Sequence, residues 1–185
     1  MKNVHYILNQ LRATPSTQEP ELEKQATALL TETHNNIAGS ATEYNQPEEA
    51  LKHFLLYKKM LVEEHDKTAT VTDPRLTSSF FNVAMSYMMN SNYANALGWL
   101  QDALKQAERL RSLDQIKRAR SLALINLGSN YWLMDRQEEA SQTLEWALRE
   151  REELFGRSDR DSMMYVPSAA KSPGCLRTWQ PRINN

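Results

Sequence analysis

Apolar residues recur every three to four positions between Glu21 and Phe155, and polar residues fill the positions between them. This spacing places the apolar residues on one face of an α-helix. The pattern is clearest between residues 124 and 155, where it breaks once, at residues 134–136. It predicts an all-α fold of about three helical hairpins, at about 21–65, 74–111 and 113–155.

Residues that start helices stand at the breaks between these segments. Asp73 precedes Pro74, a pair typical of a cap followed by the first helical residue. Ser112 stands three residues before a glutamine, which is a capping-box pattern. Asp135 stands three residues before Glu138, so we expect Asp135 to cap the last helix in the same way.

The three predicted hairpins are copies of one unit. An alanine near the start of each second helix recurs at Ala50, Ala96 and Ala140, with spacings of 46 and 44 residues. An apolar residue followed by a small one precedes each alanine by twelve to thirteen positions: Ile37–Ala38, Val83–Ala84 and Leu127–Gly128. A fixed period of this length predicts a solenoid, in which each unit buries its apolar face against the next.

The third copy carries a recognisable run of residues. It consists of Asn126-Leu127-Gly128, Tyr131, Glu138-Glu139-Ala140, Ala147-Leu148, Arg151-Glu152 and Phe155-Gly156. The run resembles the tetratricopeptide repeat, and its long period resembles the kinesin-light-chain type in particular. The resemblance implies a right-handed superhelical solenoid whose first helices line a concave surface. It also implies a non-catalytic module for protein–protein interaction that captures a peptide or helix segment in this groove.

Asparagine precedes the apolar–small pair in all three copies, at Asn36, Asn82 and Asn126. In the kinesin-light-chain type, asparagines at this position are implicated in holding the backbone of an extended peptide. An amide offers both a donor and an acceptor, which agrees with that role. The alternative is that the three side chains tie neighbouring helices together or face water.

Other residues share the helix face of these asparagines. In the first copy they are Glu32, Gly39, Ser40 and Glu43. The further candidates for the groove are Ser78, Met85, Met89, Ser129, Asn130 and Leu133. Methionine gives adaptable apolar contact in a peptide groove, but Met85 and Met89 can equally be packing residues.

Composition and motifs give no support for catalysis, a cofactor or a metal site. The four histidines lack zinc-ligand spacing, and the chain has no glycine-rich phosphate loop. Because 22 Lys and Arg balance 23 Asp and Glu, neither nucleic acid nor an anionic membrane is an expected partner. The basic run at Lys117, Arg118 and Arg120 is either a solvated face or a contact for an acidic peptide. A single cysteine, Cys175, suits a reducing compartment, and we expect a cytoplasmic protein.

The two ends of the chain fall outside the repeat pattern. Residues 1–20 predict a short helix, with Val4, Ile7, Leu8 and Leu11 on one face, followed by a linker. Residues 157–185 predict an irregular, disordered tail. No polar final helix is evident to cover the last apolar face. The alternative function is therefore a self-associating fragment of a longer repeat protein, paired through its uncapped C-terminal repeat.

Overall fold

The computed structural model describes Tyr6, residues 19–68 and residues 73–156. These residues form six α-helices and contain no strand. The helices are α1 Glu19–Glu43, α2 Pro47–Thr68, α3 Pro74–Met89, α4 Tyr93–Ala107, α5 Leu113–Leu133 and α6 Gln137–Phe155. The predicted N-terminal helix and the predicted C-terminal tail lie outside the described residues.

Two of the predicted helix starts are confirmed. The Asp73 carboxylate accepts a hydrogen bond from the Arg75 backbone N–H at 2.8 Å, and Pro74 is the first residue of α3. The Ser112 hydroxyl accepts one from the Gln115 backbone N–H at 3.2 Å. Each side chain satisfies a backbone donor that the first turn of a helix leaves without a partner.

The predicted start of the last helix is wrong. Arg136, not Asp135, is the N-cap of α6, and it makes no capping hydrogen bond through its side chain. Asp135 has φ 59°, a left-handed conformation that aspartate and asparagine adopt more readily than most residues. Asn45 and Ser91 occupy the same place in the other two hairpin turns, with φ 53° and 56°. Tight chain reversal, rather than side-chain capping, accounts for Asp135, which stands two residues before α6.

The cores of the first two hairpins are each completed by the first helix of the next hairpin. Val83 of α3 packs with Ala38, Ala50 and Phe54 of the first hairpin. Leu127 of α5 stands 44 residues later and completes the core of the second hairpin in the same way. Sequential helices pack on one another, and α3 also contacts α5. The all-α prediction is thereby confirmed: the described residues form a helical-hairpin solenoid of about three repeats.

A small residue faces a large one where the two helices of each hairpin approach most closely. In the third hairpin, a Cβ added to Gly128 would lie 2.6 Å from the Leu144 Cγ atom. Alanine occupies the equivalent position in the other hairpins, at Ala38 and Ala84, and both are fully buried. The packing of the two helices thus explains why the second residue of the repeated apolar–small pair is small.

Ring pairs link the two helices of the first and second hairpins. The His34 and His53 rings are buried, with centroids 4.9 Å apart and their Nδ1 atoms at 2.8 Å. The Phe80 and Trp99 rings have centroids 5.7 Å apart. The Lys58 ammonium lies 4.7 Å from the centre of the Phe80 ring, so it adds a cation–π contact.

Candidate functional site

One side of the three first helices presents four positions in the same register. The positions are i, i+4, i+7 and i+11, which share one side of a helix. We call the set the first-helix face: Glu32, Asn36, Gly39 and Glu43 on α1; Ser78, Asn82, Met85 and Met89 on α3; Leu122, Asn126, Ser129 and Leu133 on α5.

An open depression of about 580 Å³ lies on this face between α1 and α3. It is lined by Asn35, Asn36, Gly39, Ser40, Glu43, Phe54 and Asn82. Asn36 is exposed and Asn82 is half-buried, so the two side chains reach one surface from neighbouring helices. The fold therefore brings together two of the three asparagines that the repeat pattern singled out.

The amide groups of Asn36 and Asn82 are available to a ligand. Among the residues that the structure describes, no hydrogen bond engages either side-chain amide. The backbone carbonyl of Asn82 is occupied, because it accepts a hydrogen bond from the Ser86 hydroxyl at 3.1 Å. Two free amides on one open surface offer paired donors and acceptors without any rearrangement.

Asn126 is in a different state from the other two asparagines. Its NH₂ group donates to the Leu122 carbonyl of its own helix at 2.8 Å. The side chain is partly exposed and does not line the depression. One N–H of its amide is thereby used inside α5, while the second N–H and the amide oxygen remain available to a ligand.

Two other candidates are buried. Asn130 is fully buried, and its NH₂ group donates to the Tyr93 carbonyl at 3.0 Å, which ties α5 to α4. The Ser129 hydroxyl donates to the Ile125 carbonyl at 2.8 Å. The Asn130 NH₂ group and the Ser129 hydroxyl are thus used inside the array, the buried Asn130 Oδ1 atom has no hydrogen-bond partner among the described residues, and neither side chain is open to a ligand in this structure. A helical wheel places them near Asn126 but does not reveal that α4 covers that side.

The remaining candidates form a more apolar stretch of the face. Met85 and Leu133 are half-buried and pack against the core of the second hairpin. Met89 is also half-buried, at the last residue of α3. Ser78 is exposed, and its hydroxyl donates to the Pro74 carbonyl at 3.2 Å. These four residues do not line the depression.

The other five lining residues differ in how far the sequence indicated them. Gly39, Ser40 and Glu43 share the predicted face of Asn36, so helical spacing already indicated them. Asn35 and Phe54 also line the depression, and no pattern in the sequence pointed to either. Phe54 belongs to the core of the first hairpin, and a sequence pattern does not show that one edge of a core side chain meets the surface.

The two carboxylates that α1 contributes to the face differ in their ion pairs. Arg75 forms ion pairs with Glu32, Glu64 and Asp73, at 3.5, 3.4 and 2.6 Å. The hydrogen bond from Arg75 to Asp73 is the main reason that the pKa of its guanidinium is raised. Glu43 has no ion pair with any described residue and is exposed. The depression therefore carries one uncompensated carboxylate.

The basic run of α5 is largely neutralised by acidic residues of the array. The Lys117 ammonium lies 2.5 Å from a Glu153 carboxylate oxygen, and this hydrogen bond raises the pKa of Lys117. Arg120 pairs with Glu150 at 2.6 Å and with Glu108 at 2.8 Å. Burial opposes the charge of Arg120, but these hydrogen bonds outweigh it, so its pKa is raised. Arg118 is exposed and has no ion pair with a described residue, so it is the side chain of the run that keeps free positive charge.

The outer surface of α6 is mostly polar. Its exposed residues are Gln137, Glu138, Gln142, Trp146, Arg149, Glu153 and Phe155. Trp146 is 48% exposed and Phe155 37%, and they are the two large apolar side chains in that set. The end of the described array thus resembles the polar closing helix of a solenoid more than the sequence pattern indicated.

The described ranges contain neither a metal-binding cluster nor a helix that could span a membrane. No group of three or more His, Cys, Asp or Glu side chains there is arranged to hold a metal ion. No helix in the same ranges combines the length and the apolar character that crossing a membrane requires.

Comparison with known proteins agrees with the repeat pattern. Residues 76–153 match a family model described as the tetratricopeptide repeat. The match spans most of α3 and nearly all of α6, together with α4 and α5, and supports a tetratricopeptide repeat protein. No curated protein matches the chain. Tetratricopeptide repeats generally mediate protein–protein interaction.

Proposed function

We propose that the chain is a non-catalytic interaction module that captures a peptide or helix segment of a partner protein on the first-helix face. The observation that carries this proposal is the meeting of Asn36 and Asn82 in one open depression. One solvated side-chain amide does not by itself indicate a partner protein. Two unpaired side-chain amides at equivalent positions on neighbouring helices are suited to bind the backbone of a peptide.

The proposed mechanism uses the two functions of each amide. The NH₂ group donates to a backbone carbonyl of the ligand, and the amide oxygen accepts from a backbone N–H. Such contacts hold an extended segment without reading its side chains. Sequence preference then comes from the other residues of the face, among them Met85 and Met89.

Two finer features are part of the same proposal. The repeats are of the kinesin-light-chain type, supported by the periods of 46 and 44 residues and by the Asn126-Leu127-Gly128 run. The protein acts in the cytoplasm, which the single cysteine supports because such a chain needs no oxidising compartment.

The test is affinity capture with mass spectrometry on the full chain and on variants. We expect Asn36→Ala combined with Asn82→Ala to lose the partners that the parent chain retains. Asn95→Ala is the matched control, because Asn95 is also exposed but lies on the second helix α4. Asn126→Ala is expected to have a smaller effect than either of the first two substitutions, since Asn126 does not line the depression and one of its N–H groups already donates to Leu122.

Identical partner sets for the double variant and for Asn95→Ala would contradict capture on this face. Light scattering on the same samples separates the self-associating alternative. If the chain is a concentration-dependent oligomer, and the double variant changes neither its mass nor its partners, self-association becomes the better account.

A further inference from the structure

The first-helix face changes character along the array. The last position of the face is Glu43 on α1, Met89 on α3 and Leu133 on α5. The first position follows the same order, with Glu32, Ser78 and Leu122. A repeat architecture places these residues in rows across the three first helices. Each row therefore runs from a carboxylate to an apolar side chain.

Glu43 is poorly placed for the stability of its own helix. It is the last residue of α1, where the partial negative charge of the helix terminus disfavours a carboxylate. No basic residue stands in the last turn of α1 to compensate it. Since Glu43 also lacks an ion pair among the described residues, the structure gives it no stabilising role. A cation from outside the array would supply the missing partner.

Other charges near the face do not cancel this carboxylate. Glu32 lies near the middle of α1, about three turns before Glu43, and is paired with Arg75. Arg118 stands one turn before Leu122 on α5, and its guanidinium lies 4.6 Å from the centre of the Phe155 ring. Positive charge at the α5 end and negative charge at the α1 end reinforce the same polarity. They favour a ligand whose cation lies at the α1 end.

We propose that the occupant of the first-helix face is an extended protein segment with lysine or arginine at one end and apolar residues at the other. The cationic side chain pairs with Glu43, Asn36 and Asn82 hold the adjoining backbone, and the apolar residues contact Met89, Leu122 and Leu133. Helices that pack side by side generally lie about 8–10 Å apart, so a segment that crosses three first helices spans about 20 Å. An extended chain rises about 3.3 Å per residue, which separates the two ends of the motif by about six residues.

This inference rests on the proposed function, and synthetic peptides test it without a known partner. The first probe is a fluorescent peptide of about ten residues with blocked ends, two lysines near one end and two leucines about six residues away. In the second probe the lysines are glutamates, and in the third they are glutamines. In the fourth the leucines are serines. Fluorescence anisotropy with the full chain measures each affinity at low and at high salt.

We expect the lysine probe to bind most tightly and the glutamate probe most weakly, with the difference shrinking at high salt. Glu43→Gln should weaken the lysine probe about threefold to fivefold and leave the glutamine probe unchanged. Glu43→Lys should reverse the preference between the lysine and glutamate probes. The serine probe should bind more weakly than the lysine probe to every variant.

Glu63→Gln is the matched control. Glu63 is exposed on the second helix α2, and its substitution removes the same charge away from the face. It should leave every affinity unchanged. Glu43→Gln is expected to fold normally, since it relieves the unfavourable charge at the end of α1.

Two different failures are distinguishable. If the probes bind, and Asn36→Ala with Asn82→Ala abolishes binding, but lysine and glutamate probes bind equally, the charge preference is refuted and capture on the face survives. If all probes bind but that double variant has no effect, the peptides bind elsewhere and both proposals are refuted. A chain that binds none of the probes refutes the proposed motif, while capture on the face is decided by whether the double variant loses the partners that the parent chain retains.

Discussion

At equivalent positions, the first hairpin has a pair of polar rings and the second hairpin has a pair of largely apolar rings. His34 and His53 stand 46 residues before Phe80 and Trp99, and each pair joins the two helices of its hairpin. The aromatic pair packs through apolar surface, and its contacts do not depend on a proton. In the histidine pair, two ring nitrogens lie 2.8 Å apart, so one must donate and the other must accept.

Glu49 sets the direction of the hydrogen bonds in the histidine pair. Its carboxylate lies 2.9 Å from the His53 Nε2 atom and can only accept. A neutral His53 therefore carries its proton on Nε2, accepts at Nδ1 and takes a hydrogen bond from the Nδ1–H of His34. At the position equivalent to Glu49, the second hairpin has Asn95, beside a pair that needs no such orientation.

The neighbouring small–large contact keeps one character throughout. Ala38 with Phe54, Ala84 with Leu100 and Gly128 with Leu144 all combine a small residue on the first helix with a large apolar residue on the second. The comparison teaches that close helix approach restricts one position to small residues. The site of the ring pair is less restricted, since it holds two histidines in one hairpin and phenylalanine with tryptophan in the next.

The largest expected effect comes from breaking the small–large contact. Leu144→Ala should lower the free energy of unfolding by about 2–5 kcal/mol, because it opens a cavity at a fully buried site. Gly128→Ala alone should cost about 1–3 kcal/mol, since its Cβ would overlap Leu144. Urea denaturation measures both values.

The two changes should not be additive. In the double variant the new methyl group enters the space that Leu144 leaves, so the loss should be smaller than the sum of the single losses. Gly98→Ala is the control, because no atom lies within 4 Å of its added Cβ. It should stabilise the helix by about 0.5–1 kcal/mol. A destabilising Gly98→Ala, or strict additivity at 128 and 144, would show that steric fit does not explain the small residue.

A smaller effect is expected at the ring pair. His53→Leu removes the acceptor for the Nδ1–H of buried His34 and should cost about 1–3 kcal/mol. His34→Phe with His53→Trp copies the second hairpin and should be close to the parent in stability, because both polar partners are then removed together. Thermal denaturation of the single and double variants checks this. A double variant less stable than His53→Leu would mean that the two hairpins differ in shape and not only in polarity.

The smallest effect concerns acid stability. The hydrogen bond from Lys52 is the main cause that lowers the pKa of Glu49 below its ordinary 4.5, with a further contribution from His53 against opposing burial. A lowered pKa in the folded state stabilises above pH 4.5, and this contribution is lost as the pH falls through the folded value. Glu49→Gln should therefore flatten the fall in the urea midpoint between about pH 6 and about pH 3.

Glu48→Gln is the control for that measurement, because it removes the neighbouring carboxylate without touching the Lys52 and His53 hydrogen bonds. If both substitutions flatten the pH dependence of the urea midpoint equally, the effect cannot be assigned to Glu49. The effect should be small in either case, since the Glu49 carboxylate is largely solvated and screened by salt.

Much of the fold could be predicted from the sequence, since helical spacing, the alanine period and the helix starts at Asp73 and Ser112 depend on local rules. The start of α6 was mispredicted because a left-handed turn residue and a capping residue have the same amino-acid preferences at Asp135. The contact between the His34 and His53 rings could not be predicted from the sequence, since it depends on how α1 packs against α2.

The candidate surface was predicted only in part. Repeat register indicated Asn36 and Asn82, and the fold places both on one depression. Asn130 shares the register, yet α4 covers it, and a wheel for one helix carries no information about its neighbours. The lining carboxylate of Glu43 was on the predicted face, but its lack of an ion partner depends on side chains from other helices.

The left-handed residues at Asn45, Ser91 and Asp135 have a consequence for engineering. All three hairpins reverse direction with the same backbone geometry at the same place, so their junctions are interchangeable. Cutting the chain at two of these turns isolates a unit made of the second helix of one hairpin and the first helix of the next. Such a unit can be deleted, duplicated or exchanged between turns that share one left-handed residue. The array is in this sense a set of cassettes, and the order of acidic and apolar surface along it can be rewritten by shuffling them.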